Sequence, residues 1–521
     1  MGRLNENENE NETDLQTPSS AGALDHSSLS VVVDGSDQTD SLTEPLLRPE
    51  PEPEEQGQES SNSHVVSSSS REQPERLASL DVFRGLSIAG MILVDNVGGL
   101  WPALNHSPWN GVTVADFVMP FFLFIVGMAL ALTFKRIHDR LKLTQKALVR
   151  AAKLFFLGVL LQGGYYHGVN HLDYGVDIEV IRWCGVLQRI AFCYLVVALC
   201  KIWLPKRQTS DGSNGSFKLL KVYLWHCIVA LLFSAVYLSL LYGLYVTDWQ
   251  FSAPLAYQGY LIRPSLPKLN VDDTLLTVKC GVRGDLRPAC NAVGYVDRLI
   301  LGLSHLDQRP VFIRTKECSV NSPNYGPPPP NAPVWCQAPF DPEGILSSVS
   351  AVVTCFVGLH YGHILVHEKG HMKRLQHWIT PSLELLVFGI ILNYLGMPLN
   401  KPLYSFSYMC LTAGAAGLVF CAFYFLIDVK GWRYPTLLLE WMGLNSLLIY
   451  TLAACGVILS FIQGFYYKVP QNNLVSYIEE HLFEDLIPSK RWALMVSVLS
   501  EIILWCLIAG ALKAKGIFWK F

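Results

Sequence analysis

The chain has 521 residues, of which 51% are hydrophobic, 12% aromatic and only 16% charged. With a mean hydropathy of +0.29, this balance excludes an ordinary soluble domain and a nucleic-acid binder, and it points to a polytopic membrane protein. The net charge of −3 conceals an asymmetry: residues 1–75 hold 17 acidic and 3 basic side chains, about −14, leaving about +11 on the remainder.

The acidic tail is rich in Glu, Asn, Ser, Gln and Pro and nearly devoid of aromatic residues. It has too little apolar surface to fold, so residues 1–75 are expected to be a disordered cytosolic tail. No apolar segment in it resembles a cleavable signal, so the first span would serve as the insertion signal. Glu44 to Leu47 (EPLL) resembles a sorting dileucine, a pattern that is common by chance.

Two apolar spans follow, Leu80 to Leu100 and Val112 to Phe134, each long enough for a hydrocarbon core of about 30 Å. Further spans are expected at 145–165, 183–204, 218–245, 344–366, 376–396, 404–427, 435–463 and 491–512. The fold class is therefore an all-α bundle of about ten transmembrane helices, with residues 76–521 as one membrane domain. Most Lys and Arg fall in the loops at 135–153, 205–221, 367–377 and 428–433 and in the tail at 513–520. Ten alternating spans put all of these on one side, together with the acidic tail, so both termini are expected to be cytosolic. The turn around His106, the loops at 166–182, 246–343 and 464–490, and the turn at 397–403 then face the lumen.

The 246–343 insertion is too long for a plain connection. It holds Cys280, Cys290, Cys318 and Cys336, an even number that suggests two disulfides in a non-cytosolic compartment. Three connectivities are possible, and proximity favours Cys280–Cys290 with Cys318–Cys336. The other nine cysteines lie in or near apolar spans and read as small buried hydrophobes.

Polar residues inside spans are costly and usually face a bundle interior or a wet path. His106 follows Asn96 by ten residues and precedes Asp116 by ten, so the flanking helices can gather all three at one membrane face. As an isolated residue His106 reads as interfacial; in this setting it reads equally well as a proton acceptor, with Asn96 polarising a carbonyl. Arg84, Arg182, Gln188 and Arg189 could clamp phosphates or pair with carboxylates; Asp81 and Arg84, three apart on one helix, suggest pairing. His360, His363, His367 and His371 recur at helical spacing, but no carboxylate or second motif joins them, and no metal is expected.

The runs FRGLSIAGMILVDN (Phe83 to Asn96) and NHSPWNGVTVADFVMPFFLFIVG (Asn105 to Gly127) strongly resemble the heparan-α-glucosaminide N-acetyltransferase family. So do CGVLQRIAFCYLVVA from Cys184, GYVDRLILG from Gly294, FDPEGILSSVSAVV from Phe340, NKPLYSFSYM from Asn400, MGLNSLLIY from Met442 and the terminal GIFWKF. The resemblance runs in order over residues 76–521. It implies acetyl transfer from cytosolic acetyl-CoA to a luminal amino sugar, such as the terminal glucosamine of heparan sulfate, in a lysosome or vacuole. It places acetyl transfer on His106 of the H-x-x-W-N-G motif, with Asn96 beside it and Asp116, Trp109 and Asn110 in support. It also implies a homologue without the family's N-terminal luminal domain, and a possible homodimer. Two other readings stay open: an O-acetyltransferase of the same fold acting on sugar hydroxyls, and a small-solute transporter.

Overall fold

The computed structural model describes residues 77–134, 139–163, 165–167, 173–175, 178, 181–205, 221–252, 275–469 and 472–519. The expected disordered tail with its EPLL stretch, most of the 166–182 loop and residues 206–220 lie outside the described residues. The described part is overwhelmingly helical.

The first helix, α1 (Ala78–Val97), is followed by α2 (Ala115–Thr133) and α3 (Arg140–Gly163). A short antiparallel hairpin, β1 (Tyr165–His167) and β2 (Asp173–Gly175), leads to α4 (Val186–Trp203) and α5 (Leu224–Gly243). The insertion then forms β3 (Tyr245–Val246), β4 (Trp249–Ser252), β5 (Leu275–Val278), β6 (Val282–Arg283) and α6 (Ala292–Leu301). Strand β3 pairs with β6 and β4 with β5, both antiparallel, with Trp249 opposite Val278 and Ser252 opposite Leu275. The bundle resumes with α7 (Ile345–His367), α8 (His371–Tyr394) and α9 (Phe406–Tyr424). Next come α10 (Leu437–Leu444) and α11 (Ser446–Ile449), bent by 77° where they meet. The chain ends in α12 (Val457–Gln463), α13 (Leu474–Ile478) and α14 (Lys490–Ala514).

Seven of the described helices are long and apolar enough to cross a membrane, or eight if the bent pair counts as one span. The expected figure of about ten is not reached on apolar length. The reason lies in α1, which carries Asp81, Arg84 and Asp95, and in α3, whose first turns carry Arg140, Lys142, Lys146, Arg150 and Lys153. Both helices have spanning length, with 20 and 24 residues, but their charge dilutes the hydropathy.

At the centre, α2 packs on α7. Cβ atoms added at Gly127 and Gly358 would overlap the backbones of Cys355 and Phe124, so the two glycines let these helices touch main chain to main chain. Outer helices α5, α8 and α14 leave Leu231, Leu232, Val387, Phe388, Ile503 and Leu504 uncovered, as side chains facing lipid tails would be.

Contacts sort the loops to one end of the bundle. Trp101, after α1, donates to the Arg491 carbonyl at 3.1 Å, and Trp109 donates to Leu286 at 2.9 Å. The backbone of Gly111 bonds to Leu399 at 2.8 Å. The His106 turn, the insertion, the 397–403 turn and the start of α14 therefore meet, as span alternation requires. The insertion is fastened by Cys280–Cys290 and Cys318–Cys336, the pairing that proximity favours.

Candidate active site

The loop between α1 and α2 is built around Asp116, in the first turn of α2 and fully buried. Carboxylates are favoured at helix N-termini, where free N–H groups collect. Here Oδ2 accepts from the Thr113 amide at 3.0 Å, the Thr113 hydroxyl at 3.1 Å and the Ser107 amide at 3.2 Å. The other oxygen, Oδ1, lies 2.9 Å from His106 Nδ1. A carboxylate only accepts, so the shared proton belongs to Nδ1 and the lone pair to Nε2. Arg314 holds the loop from the insertion, donating to the His106 carbonyl at 2.7 Å.

A second turn arrives from far along the chain. Asn400 donates to Asn110 Oδ1 at 3.1 Å and accepts from Leu403 at 2.8 Å, which fixes the turn before α9 against the His106 loop. This places Lys401 Nζ 2.9 Å from His106 Nδ1, 3.2 Å from Nε2 and 3.7 Å from Asp116 Oδ1. Near-equal distances to the two ring nitrogens put the ammonium beside the ring, not in line with the Nε2 lone pair. Burial and the Lys401 ammonium hold the His106 pKa below its usual 6.5, against the opposing pull of Asp116. These influences favour the neutral imidazole, and the Asp116 contact fixes its tautomer with Nε2 unprotonated, which suits a general base.

His106 stands at a cavity of about 300 Å³ enclosed by α1 to α4 and the turn at Tyr450–Cys455. Its polar lining comprises His106, Lys401, Asp95, Gln188, Glu343 and Tyr450, above apolar walls that include Met91, Met119 and Leu161. Gln188 is buried, and neither end of its amide has a hydrogen-bond partner among the described residues. Glu343 is taken up by Arg182 at 2.8 Å; burial pushes its pKa up, but Arg182 together with Arg189, Lys401 and His106 outweighs this and holds it below the usual range.

Of the residues expected from sequence, His106, Asp116 and Gln188 come together here. Trp109 sits nearby, packed edge-on against Phe312 and Phe340 at 5.9 and 5.5 Å, and Asn110 joins the two turns. Asn96 does not join them: its exposed side chain donates to Glu501 of α14 at 3.4 Å, and the neighbouring Asp95 lines the cavity in its place. Arg84 is paired with Asp81 at 2.9 Å. Arg182 pairs with Asp341 at 2.8 Å and with Glu343, and lies 3.6 Å from Asp307. Arg189 donates to the Pro342 carbonyl at 2.8 Å, to Ser348 at 3.2 Å and to Ser347. These three arginines are engaged within the protein. Among the four recurring histidines, His363 stacks on Tyr223 at 3.6 Å beside Lys201, and His371 bonds to Tyr424 at 2.9 Å. Sequence reasoning misses Lys401, Glu343 and Arg314 as site residues, and it reaches Asp95 only as one of the polar residues within the first span. An isolated Lys or Asp next to a turn carries no local pattern; the polar interruption of α1 at Asp95 was the one available signal.

Fold and site together define a polytopic helical membrane protein with a carboxylate-oriented histidine at the mouth of a cavity within its bundle. Residues 76–212, from just before α1 to beyond α4, match the family model described as heparan-alpha-glucosaminide N-acetyltransferase, catalytic. The chain is 29% identical over 479 residues to heparan-alpha-glucosaminide N-acetyltransferase of Mus musculus, covering 86% of this chain and 61% of that protein. With the protein of the same name from Homo sapiens the identity is 28% over 474 residues, covering 86% and 60%. The resemblance read from the motifs is therefore borne out over most of the chain. The chain spans about three fifths of the length of these curated relatives.

Proposed function

We propose that the protein is a transmembrane acetyltransferase that moves an acetyl group from acetyl-CoA to the amine of an amino sugar. The relatives are named as N-acetyltransferases of heparan alpha-glucosaminide, and a similar glucosamine-bearing glycan is the acceptor class carried over here. The observation that carries the reading is the 2.9 Å contact of His106 Nδ1 with buried Asp116, which leaves Nε2 the unprotonated nitrogen of a ring that lines the cavity. In the reaction the amine nitrogen attacks the thioester carbonyl, the C–S bond breaks, and His106 passes the proton lost by nitrogen to the departing sulfur.

The cavity of about 300 Å³ is at the small end of ligand sites, suited to the acetylated arm of coenzyme A with its nucleotide end outside. Gln188 offers to that arm an amide that has no partner among the described residues. The basic first turns of α3 lie towards the opposite end of the bundle, where they would meet the phosphates. The basic face would be cytosolic and the histidine end luminal, in a lysosome or vacuole, so donor and acceptor need not share a compartment.

The test is incubation of the purified protein with labelled acetyl-CoA and glucosamine, alongside His106→Ala. Labelled N-acetylglucosamine from the parent and a loss of about 10²–10⁴-fold in the variant are expected. Glucosamine uptake into vesicles without transfer, or full activity in folded His106→Ala, overturns the proposal.

A further inference from the structure

We propose that Asp95 selects the acceptor by charge: it binds the ammonium form of the incoming amine and removes its first proton before acetyl transfer. The inference rests on the acetyltransferase reading above and assigns a second base to the same cavity.

The argument begins with the charges that line the cavity. Asp116 is saturated by His106, Ser107 and Thr113, and Glu343 is held by Arg182 at 2.8 Å. Asp95 shares the cavity wall with His106 and Lys401, yet among the described residues it takes part in no hydrogen bond or ion pair. The groups that line the cavity with it are Lys401 from the turn before α9, His106 from the α1–α2 loop, Glu343 ahead of α7, and Tyr450 and Cys455 from the bend after α11. Asp95 also lies in the last turn of α1, which ends at Val97, where free carbonyls favour a cation. Lys401 acts on this carboxylate only from across the cavity, so a neutral hydroxyl entering here would exclude water from a carboxylate with no direct partner, which is costly; an ammonium would pair with it.

The chemistry needs two bases. An amine below its pKa of about 8 arrives as R–NH3⁺, and the product amide nitrogen keeps one hydrogen. Two protons must therefore leave nitrogen. Asp95 takes the first, giving a neutral amine and a carboxylic acid that later releases its proton to water. After the amine attacks the thioester, His106 Nε2 takes the second and gives it to the departing sulfur. The sum is R–NH3⁺ plus acetyl-CoA going to the amide, CoA–SH and one H⁺.

The test compares the parent with Asp95→Asn and Asp95→Glu, using glucosamine and glucose as probes. At about pH 7, still below an amine pKa of about 8, Asp95→Asn should raise the KM for glucosamine by about tenfold or more, and by much more than it changes the KM for acetyl-CoA. At about pH 9, where the amine is already free, the difference should shrink to about twofold, and Asp95→Glu should restore most of the low-pH affinity. Calorimetric binding gives a readout independent of turnover: the parent should prefer glucosamine to glucose at the lower pH, and Asp95→Asn should lose the preference. No binding preference in the parent, or a folded Asp95→Asn with an unchanged glucosamine KM at both pH values, overturns the inference. A parent that binds glucosamine selectively but transfers no acetyl group would instead overturn the functional reading.

Discussion

The substitution Asp116→Asn isolates the tautomer argument from packing. The amide matches the carboxylate in shape and can keep its oxygen towards the Thr113 and Ser107 amides, now at 3.0 and 3.2 Å. Its NH2 then faces His106 Nδ1 across the present 2.9 Å and must donate. Nδ1 becomes the acceptor, the ring proton moves to Nε2, and Nε2 is no longer a base. Folding loses one charge-assisted hydrogen bond, about 1–3 kcal/mol. Catalysis loses its general base, a fall of about 10²–10⁴ in kcat, equivalent to about 3–5 kcal/mol of barrier. The measurement is the initial rate of acetyl transfer at saturating substrates, with size-exclusion profile and melting temperature as checks on folding. A monodisperse Asp116→Asn protein that works within threefold of the parent would refute the assignment of Nε2 as the base.

Two further outcomes follow from the charges around the ring. Since burial and Lys401 depress the His106 pKa, activity should rise with pH through a midpoint below 6.5; below that midpoint the imidazole is protonated and idle. Lys401→Met should move this acid limb of the kcat profile upward, and a downward movement would contradict the role given to the ammonium. Arg182→Met should leave fully buried Asp341 and nearly buried Glu343 without their cation, costing about 3–5 kcal/mol. Thermal unfolding of the purified variant would register that loss; an unchanged melting temperature would show that the ion pairs contribute nothing to stability.

How far the sequence can be read differs from residue to residue for physical reasons. His106 and Asp116 are ten apart across one turn, so local chain geometry alone brings them near each other. Lys401 reaches the same ring across 295 residues, and no local pattern encodes that meeting. Asn96 and Asp95 are neighbours separated by about 100° around a helix. With apolar side chains on every side of α1, the sequence does not fix which of the two turns inward. Arg182 and Arg189 show the same limit from the other direction: free arginines near a span look like phosphate clamps until carboxylates and hydroxyls about 160 residues away close on them. The disulfides were legible because each joins nearby cysteines, 10 and 18 residues apart.

The clasp between Asn110 and Asn400 has a bearing on biosynthesis. Half of the reactive constellation leaves the ribosome early, on the loop ahead of α2, and the ammonium beside it emerges only after eight helices and the whole insertion have been made. A nascent or truncated chain ending before Asn400 would carry the histidine without its neighbour. The reactive centre is thus a late product of assembly, absent until the turn before α9 has been made and docked.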